Sequence, residues 1–401
     1  MNQPDNLLDP RHYDGVRRPA LEAETLPAWC YTSKEWFDLE VKHIFRKSWI
    51  LIGATSRVPN PGDFVTFTHT GSPVIVIRGR DNVIRAFANT CRHRGAILLE
   101  ESEGTCKAAI KCPYHAWVYG FNGALQGAPD MEDSKGFDKA NYGLIPIRLE
   151  TWGPFMFINF DNNAPGLKEW AGEMYNEILP YDPENLVCTR RAEFDVQCNW
   201  KLYVENFCDV GHVKTVHKDS LKKLSDSYDK PVETEYVKAE GFSFFVTHAG
   251  TRTLLDGVEN KKGFDRIPTL TGRTTHGSYY PILMPLGCIG YCVDSAWALE
   301  FYPLGPDRIK LVVNSCFHKD ALKRPDFEEI AKDYYYRMDI AVPEDNWINE
   351  LSQRGLSSPH ATPGRIGKLE TAIPYLNNWW LDQVLGTASQ PNTKGARVRA
   401  A

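Results

Sequence analysis

The sequence lacks any apolar run near the roughly 20 consecutive residues that a membrane-spanning helix needs. Its opening, Met1-Asn-Gln-Pro-Asp-Asn6, is polar, unlike a secretory signal, so a soluble, cytoplasmic protein is expected. An excess of charge of one sign is missing too. The formal net charge of −5 offers no attraction to nucleic acid or an anionic membrane. There is no internal repeat, no glycine-rich dinucleotide fingerprint and no plant-type four-cysteine spacing. Ten cysteines in 401 residues are too sparse for a disulfide scaffold, and reduced thiols are expected. Cys30, Cys188, Cys198, Cys288, Cys292 and Cys316 sit in hydrophobic or strand-like surroundings and read as packed free thiols.

What is present divides into two regions. The length suits two domains. Residues 1–40 read as irregular. Asp63–Thr68, Pro73–Arg78 and Val83–Ala88 are β-rich runs separated by turn signals, and Pro154–Phe160 continues them, which predicts a small antiparallel β domain. A helix is expected over Glu169–Leu179. Strands are expected at Leu186–Val196, Phe242–His248, Ala298–Tyr302 and Arg308–Phe317, with helices over 199–217, 325–340 and 343–353. That mixture predicts an α+β domain with helices packed on an antiparallel sheet. Asp256–His276 reads as either a solvated loop or a lid over a site, and the residues from about Gly386 as a flexible tail.

Within the β region stand Cys91-Arg-His93-Arg-Gly95 and Cys112-Pro-Tyr-His115-Ala-Trp117. Each segment offers one thiol and one imidazole. Two cysteines and two histidines can hold the two irons of a Rieske [2Fe–2S] cluster, or a tetrahedral zinc. Cys106 reads as an unligated loop residue.

The second constellation is Asn199-Trp-Lys-Leu-Tyr-Val-Glu205-Asn206-Phe-Cys208-Asp209-Val-Gly-His212-Val-Lys-Thr-Val-His217. At about 100° per residue, Glu205, Asp209 and His212 share a helix face, whereas His212 and His217 lie about 140° apart. One metal can receive both histidines only if the helix bulges or ends between them, and Gly211 is where such a departure would be tolerated. Two histidines and a distant carboxylate suit non-haem Fe(II), with open positions left for O₂ and substrate. The bland alternative is an amphipathic helix with satisfied histidines.

Together the Cys-x-His…Cys-Pro-Tyr-His-Ala-Trp pattern and the Asn-Trp-Lys…Glu-Asn-Phe…Asp-x-x-His-x-x-x-x-His string resemble the Rieske non-haem iron oxygenase α subunits, over roughly residues 25–385. Ala96 and Tyr114 stand where respiratory Rieske proteins carry a disulfide, which puts the likeness on the lower-potential oxygenase and ferredoxin branch. The resemblance implies an all-β Rieske domain over 45–160 and a catalytic iron domain over 165–385, with residues 1–44 packed on it and 386–401 as the tail. It implies Cys91, His93, Cys112 and His115 as cluster ligands and His212 and His217 as iron ligands. Asp209 would bridge to a cluster histidine of a neighbouring subunit, Asn206 would stand close to the iron, and Cys208 would be packed.

The stretch from Glu344 to Gly355 resembles the family's Glu-Asp…Glu…Gln-x-Gly segment, which implies Asp345 as third ligand, with Glu344 as rival and Asp339 as outsider. The C-terminal part is most similar to the choline, carnitine and proline-betaine branch. Expected from this are a terminal oxygenase fed by a flavin/iron–sulfur reductase or a ferredoxin, O₂ as co-substrate, mono-oxygenation of a small molecule, and a homotrimer or dimer of trimers. Aromatic cis-dihydroxylation and a Rieske electron carrier or sensor are the alternatives. Trp297, Phe301, Tyr302, Trp379 and Trp380 could cage a quaternary ammonium, line an aryl pocket, or simply be core.

Overall fold

The computed structural model describes residues 3–221, 233–236, 239–247, 263–387 and 397–399. The first half forms strands β1 (Ile50–Ala54), β2 (Asp63–His69), β3 (Ser72–Arg78), β4 (Ile84–Ala88), β5 (Glu103–Thr105), β6 (Ile110–Lys111), β7 (Val118–Tyr119), β8 (Leu125–Gly127), β9 (Pro146–Trp152) and β10 (Phe155–Asn159). Seven make an antiparallel sheet in the order β1-β10-β9-β4-β3-β2-β5, and β6-β7-β8 make a small sheet of three. Strand alternation divides the large sheet between two cores. Val74 and Val76 of β3, with Val65 and Ala86, face the main core of the molecule. Ile75 and Ile77, with Phe64 and Phe87, face a smaller core that contains Cys91 and Cys112.

The second half carries β11 (Leu186–Val196), β12 (Glu233–Glu235), β13 (Gly241–Thr247), β14 (Gly277–Leu283), β15 (Gly287–Tyr291), β16 (Ser295–Gly305), β17 (Arg308–His318) and β18 (Arg397–Arg399). They form one antiparallel sheet in the order β11-β17-β16-β15-β14-β13-β12-β18. Its helices are α3 (Leu167–Ala171), α4 (Met174–Glu177), α5 (Trp200–Cys208), α6 (Val213–Val216), α7 (Phe327–Leu356) and α8 (Ile373–Leu385); α1 (Trp29–Thr32) and α2 (Lys34–Glu40) precede the first sheet. The α+β class expected from the sequence is the one observed.

Several expectations need correction. Residues 1–40 contain α1 and α2, the latter capped by the Ser33 hydroxyl accepting from the Trp36 N–H. The helix expected over Glu169–Leu179 starts earlier and is split by Gly172, at φ 53°. The two helices expected on either side of Pro343 are the single α7, which tolerates that proline because its position faces solvent. Cys188 and Cys316 are not free thiols: the β11–β17 register sets them directly opposite each other and a disulfide joins them. In the expected flexible tail, Arg397–Arg399 pair with β12. Most of the expected Asp256–His276 loop lies outside the described residues.

The N-terminal segment is fastened to α5 by buried charge. Lys201 and Glu40 form an ion pair with both side chains almost fully buried. Trp36 Nε1 and Trp200 Nε1 donate to the same carboxylate at 2.9 and 2.8 Å, so its oxygens are satisfied. Further along α5, Glu205 accepts from the Tyr31 hydroxyl at 2.7 Å, and burial raises its pKa to about 7.

Lys201→Ala strands a buried carboxylate and is expected to cost about 3–5 kcal/mol in urea unfolding. Lys201→Met combined with Glu40→Leu should lose markedly less. Glu205 adds a pH signature. Because its folded pKa lies above the ordinary 4.5, its contribution is complete below that value and lost as pH rises towards about 7. The wild type should therefore lose stability over that window relative to Glu205→Gln, as urea midpoints against pH would show.

Candidate functional site

Two loops of the small core adopt one turn. The Cys91 N–H donates to the Ala96 carbonyl and the Gly95 N–H to the Cys91 carbonyl; the Cys112 N–H donates to Trp117 and the Ala116 N–H to Cys112. Gly95 and Ala116 occupy the same place in the two turns, at φ 74° and 56°. Each turn thus buries its cysteine at the base and projects its histidine. The imidazoles of His93 and His115 meet with ring centroids 4.6 Å apart, and Trp117 stacks on His93 at 4.9 Å. The Tyr119 hydroxyl lies 3.3 Å from the Cys91 sulfur. Burial pushes the Cys112 thiol above its ordinary pKa, so a cation is needed to favour the thiolate. The Nδ1 atoms of His93 and His115 are buried and have no hydrogen-bond partner. Two inward-facing nitrogens without protein partners, beside two buried sulfurs, are the donor set that a two-histidine, two-cysteine iron–sulfur cluster requires.

The second site is built where α5 stops. Asp209, the residue after α5, is extended at φ −91° and ψ 103°. His212 and His217 then flank the single turn of α6. The chain leaves the helix before His212, not between the two histidines as the five-residue spacing suggested. Ring centroids of His212 and His217 are 5.2 Å apart, and α7 brings Asp345 between them. Asp345 Oδ1 lies 3.4 Å from His212 Nε2 and 3.0 Å from His217 Nε2. One ligand atom from each of the three falls within 4.8 Å of the others. The opposite ring nitrogens are tied back. His217 Nδ1 donates to Glu344 at 2.7 Å, a carboxylate that also accepts from Ser220 at 2.6 Å, and His212 Nδ1 donates to the Asp209 backbone carbonyl. Both imidazoles are thus held as the tautomer whose Nε2 lone pair faces Asp345. Burial opposes charge on the Asp345 carboxylate, and Asn206 Nδ2 supports that charge by donating to its Oδ1 at 2.8 Å.

Among the expected residues, Glu344 is the partner of His217 while Asp345 faces both histidines. Asp339 is elsewhere, bonded to Arg190. The Asp209 carboxylate accepts from the Gly211 N–H at 2.7 Å, and it is the backbone carbonyl of Asp209, not its carboxylate, that holds His212. Burial raises the pKa of that carboxylate. A cavity of about 140 Å³ opens over the trio and is lined by Phe207, Tyr280, Trp297, Met338 and Arg337, among others. Of the five aromatics singled out in the sequence only Trp297 reaches it; Phe301, Tyr302, Trp379 and Trp380 are buried core. Arg337 escaped the sequence reading, although an arginine in register with buried Ile330, Tyr334 and Ala341 on one helix is an anomaly that the 3.6 period exposes.

Residues 48–143 match the Rieske [2Fe-2S] domain and residues 183–386 the ring hydroxylating alpha subunit (catalytic domain). The chain is similar to the chloroplastic choline monooxygenase of Atriplex hortensis, at 30% identity over 92% of this chain and 79% of that protein. It is also similar to the glycine betaine monooxygenase oxygenase subunit of Pseudomonas aeruginosa, at 27% identity over 93% and 92%. A solved quaternary ammonium Rieske monooxygenase in complex with L-carnitine matches with a TM-score of 0.75 and 25% identity, covering 92% of this chain and 98% of that one. Among the described residues no helix is long and apolar enough to cross a membrane.

Glu344 orients His217 without facing the trio itself. Glu344→Ala should weaken Fe(II) affinity about 10–100-fold, the usual penalty for losing such an orienting group. Iron retained during dialysis against a graded chelator would measure it, with the visible spectrum of the cluster unchanged.

Proposed function

The chain belongs to the family of ring-hydroxylating oxygenase α subunits with an N-terminal Rieske domain, and from that we propose that Cys91, His93, Cys112 and His115 hold its [2Fe–2S] cluster and His212, His217 and Asp345 its mononuclear iron. It is a Rieske oxygenase of the betaine and carnitine monooxygenase type. Its reaction would be mono-oxygenation of a small organic molecule, by hydroxylation or by dealkylation through a hydroxylated carbon. The observation that carries the reading is the set of ring nitrogens: two buried and partnerless at one site, two turned towards a shared carboxylate at the other.

When bound, the cluster supplies one-electron carriage and the iron supplies activation of O₂, so that R–H, O₂, two electrons and two protons yield R–OH and water. The protein's own residues do the rest. Glu344 and the Asp209 carbonyl keep the protons of His217 and His212 on Nδ1, and Asn206 holds the Asp345 carboxylate in place. Phe207, Tyr280 and Trp297 wall the cavity and exclude water from the reacting carbon. The electrons would come from an NAD(P)H-dependent reductase, directly or through a ferredoxin. Tyr114 and Ile97, exposed beside the cluster loops, give that region an apolar rim against which another protein can pack.

The assembly follows from the division of sites. The cluster residues belong to the small core and the iron trio to the second domain. A head-to-tail homotrimer, or a dimer of trimers, would bring one subunit's cluster against the next subunit's iron. Asp209 would then offer its remaining carboxylate oxygen to a cluster histidine of the neighbour, its backbone holding His212.

Purified protein should contain about three irons per chain, two of them in the cluster. His212→Ala should keep the Rieske electron paramagnetic resonance signal, drop to about two irons and form no product, while His115→Ala should lose the Rieske signal. Product from His212→Ala, or two irons in the wild type, would sink the oxygenase assignment of these residues. A catalytically active monomer in light scattering would sink the trimer.

A further inference from the structure

We infer that Arg337 anchors a carboxylate, and that the substrate is an organic acid whose oxidised carbon stands well apart from its carboxylate. This rests on the reading of the cavity over His212, His217 and Asp345 as the substrate site. Arg337 lies on α7, only 8% exposed, and lines that same cavity. Among the described residues its guanidinium makes neither an ion pair nor a hydrogen bond. Among the described residues the other buried cation, Lys201, has Glu40, and the buried acids Glu235, Glu300 and Asp382 have Arg273, Arg191 and Arg17.

A guanidinium does not lose its proton in a protein interior, so burial cannot be relieved by neutralising it. A buried cation without a counter-ion is costly to keep, and a ligand anion removes that cost. The planar fork of arginine matches a carboxylate with two parallel hydrogen bonds. The helix also sets the separation. Arg337, Ala341 and Asp345 come at four-residue intervals on one face, so Arg337 and Asp345 start about 12 Å apart along the axis. Ala341 leaves the space between them open.

The remaining walls leave the rest of the molecule less restricted. Phe207, Tyr280 and Trp297 contact one another with centroids 5.6–6.4 Å apart and present aromatic surface to the cavity. Such surface accepts a trimethylammonium through cation–π attraction or an aryl ring through stacking. An aliphatic betaine and an aromatic acid therefore share the feature that Arg337 selects. A quaternary ammonium alcohol lacks it.

The test is isothermal titration calorimetry on the iron-loaded, oxidised enzyme without reductant, using two acid/alcohol pairs: glycine betaine with choline, and benzoate with benzyl alcohol. The acid of at least one pair should bind about tenfold or more tightly than its alcohol. That preference should vanish in Arg337→Gln and return in Arg337→Lys, which restores charge without the fork. The pair that responds tells a betaine from an aryl acid. Equal binding of acid and alcohol in the wild type, no binding of either acid, or a preference undiminished in Arg337→Gln would overturn the assignment. Iron content is measured on the same samples. A wild type without mononuclear iron overturns the functional reading itself, whereas full iron with no acid preference overturns the carboxylate anchor alone.

Discussion

Everything at the second site depends on the antiparallel seam between α5 and α7. Three hydrogen bonds run along it: the Asn199 backbone N–H donates to Gln353 Oε1 at 2.8 Å, the Tyr203 hydroxyl to Asn346 Oδ1 at 3.0 Å, and Asn206 Nδ2 to Asp345 Oδ1 at 2.8 Å. Asn199 caps α5, and positions 203 and 206 lie on one face of it, so the start and one surface of the helix read three polar partners on α7. These partners are too specific in geometry to slide by a residue. They fix the register in which α7 presents Asp345 to the histidines beyond the end of α5.

Beyond that end the chain makes a change of direction that a helix cannot make. Had α5 continued, His212 and His217 would have pointed about 140° apart. The chain ends α5 at Cys208, extends through Asp209 and resumes for the one turn of α6, with a histidine at each end. A carbonyl left free by the helix end becomes the acceptor for His212, so an unsatisfied backbone group and an unoriented imidazole resolve each other. At the opposite end of α5, the buried Lys201–Glu40 pair and its two tryptophan donors hold the helix against α2. The site is held between a polar seam on one side and a buried charge on the other. That arrangement suits a group of ligands that must stand ready without collapsing on each other.

Much of this was legible because the ligand types are rare and their spacing is tight. The two Cys/His loops, the paired histidines and Asp345 stand together in the sequence with neighbours that narrow their chemistry, and β-strands such as Leu186–Val196 carry their own residue preferences. Other features depend on register, which spacing alone does not reveal. Cys188 and Cys316 look like core thiols until two strands, 128 residues apart, set them opposite each other. Pro343 looks like the end of a helix unless its face is known to be solvent. Nothing in the sequence pairs Glu40 with Lys201, and only the packing of the N-terminal segment buries both. The break in α5 is hard to place because Gly211 draws attention to the wrong peptide; Asp209, with ordinary extended angles, makes the turn.

The cluster loops show how much can follow from a single repeated turn. With Cys91 and Cys112 each at the base and Gly95 and Ala116 each at the left-handed position, the two loops are near copies, yet the histidine comes two residues after its cysteine in one and three in the other. The offset lets the two rings approach from different sides and meet edge to face instead of colliding. Ala116 bears the conformation that glycine takes in its counterpart, at a cost of about 1–2 kcal/mol. That cost is offset where it stands: Trp117, the next residue, is buried and stacked on His93. The cysteines lie within the small core, whereas His93 and His115 are only half-buried and Arg94, Pro113 and Tyr114 beside them are exposed. An iron held by these imidazoles would sit closer to the protein surface than one held by the thiolates. Charge can then enter and leave through the histidine side while the sulfur side stays dry, and both halves of that asymmetry come from where one short turn places its cysteine and its histidine.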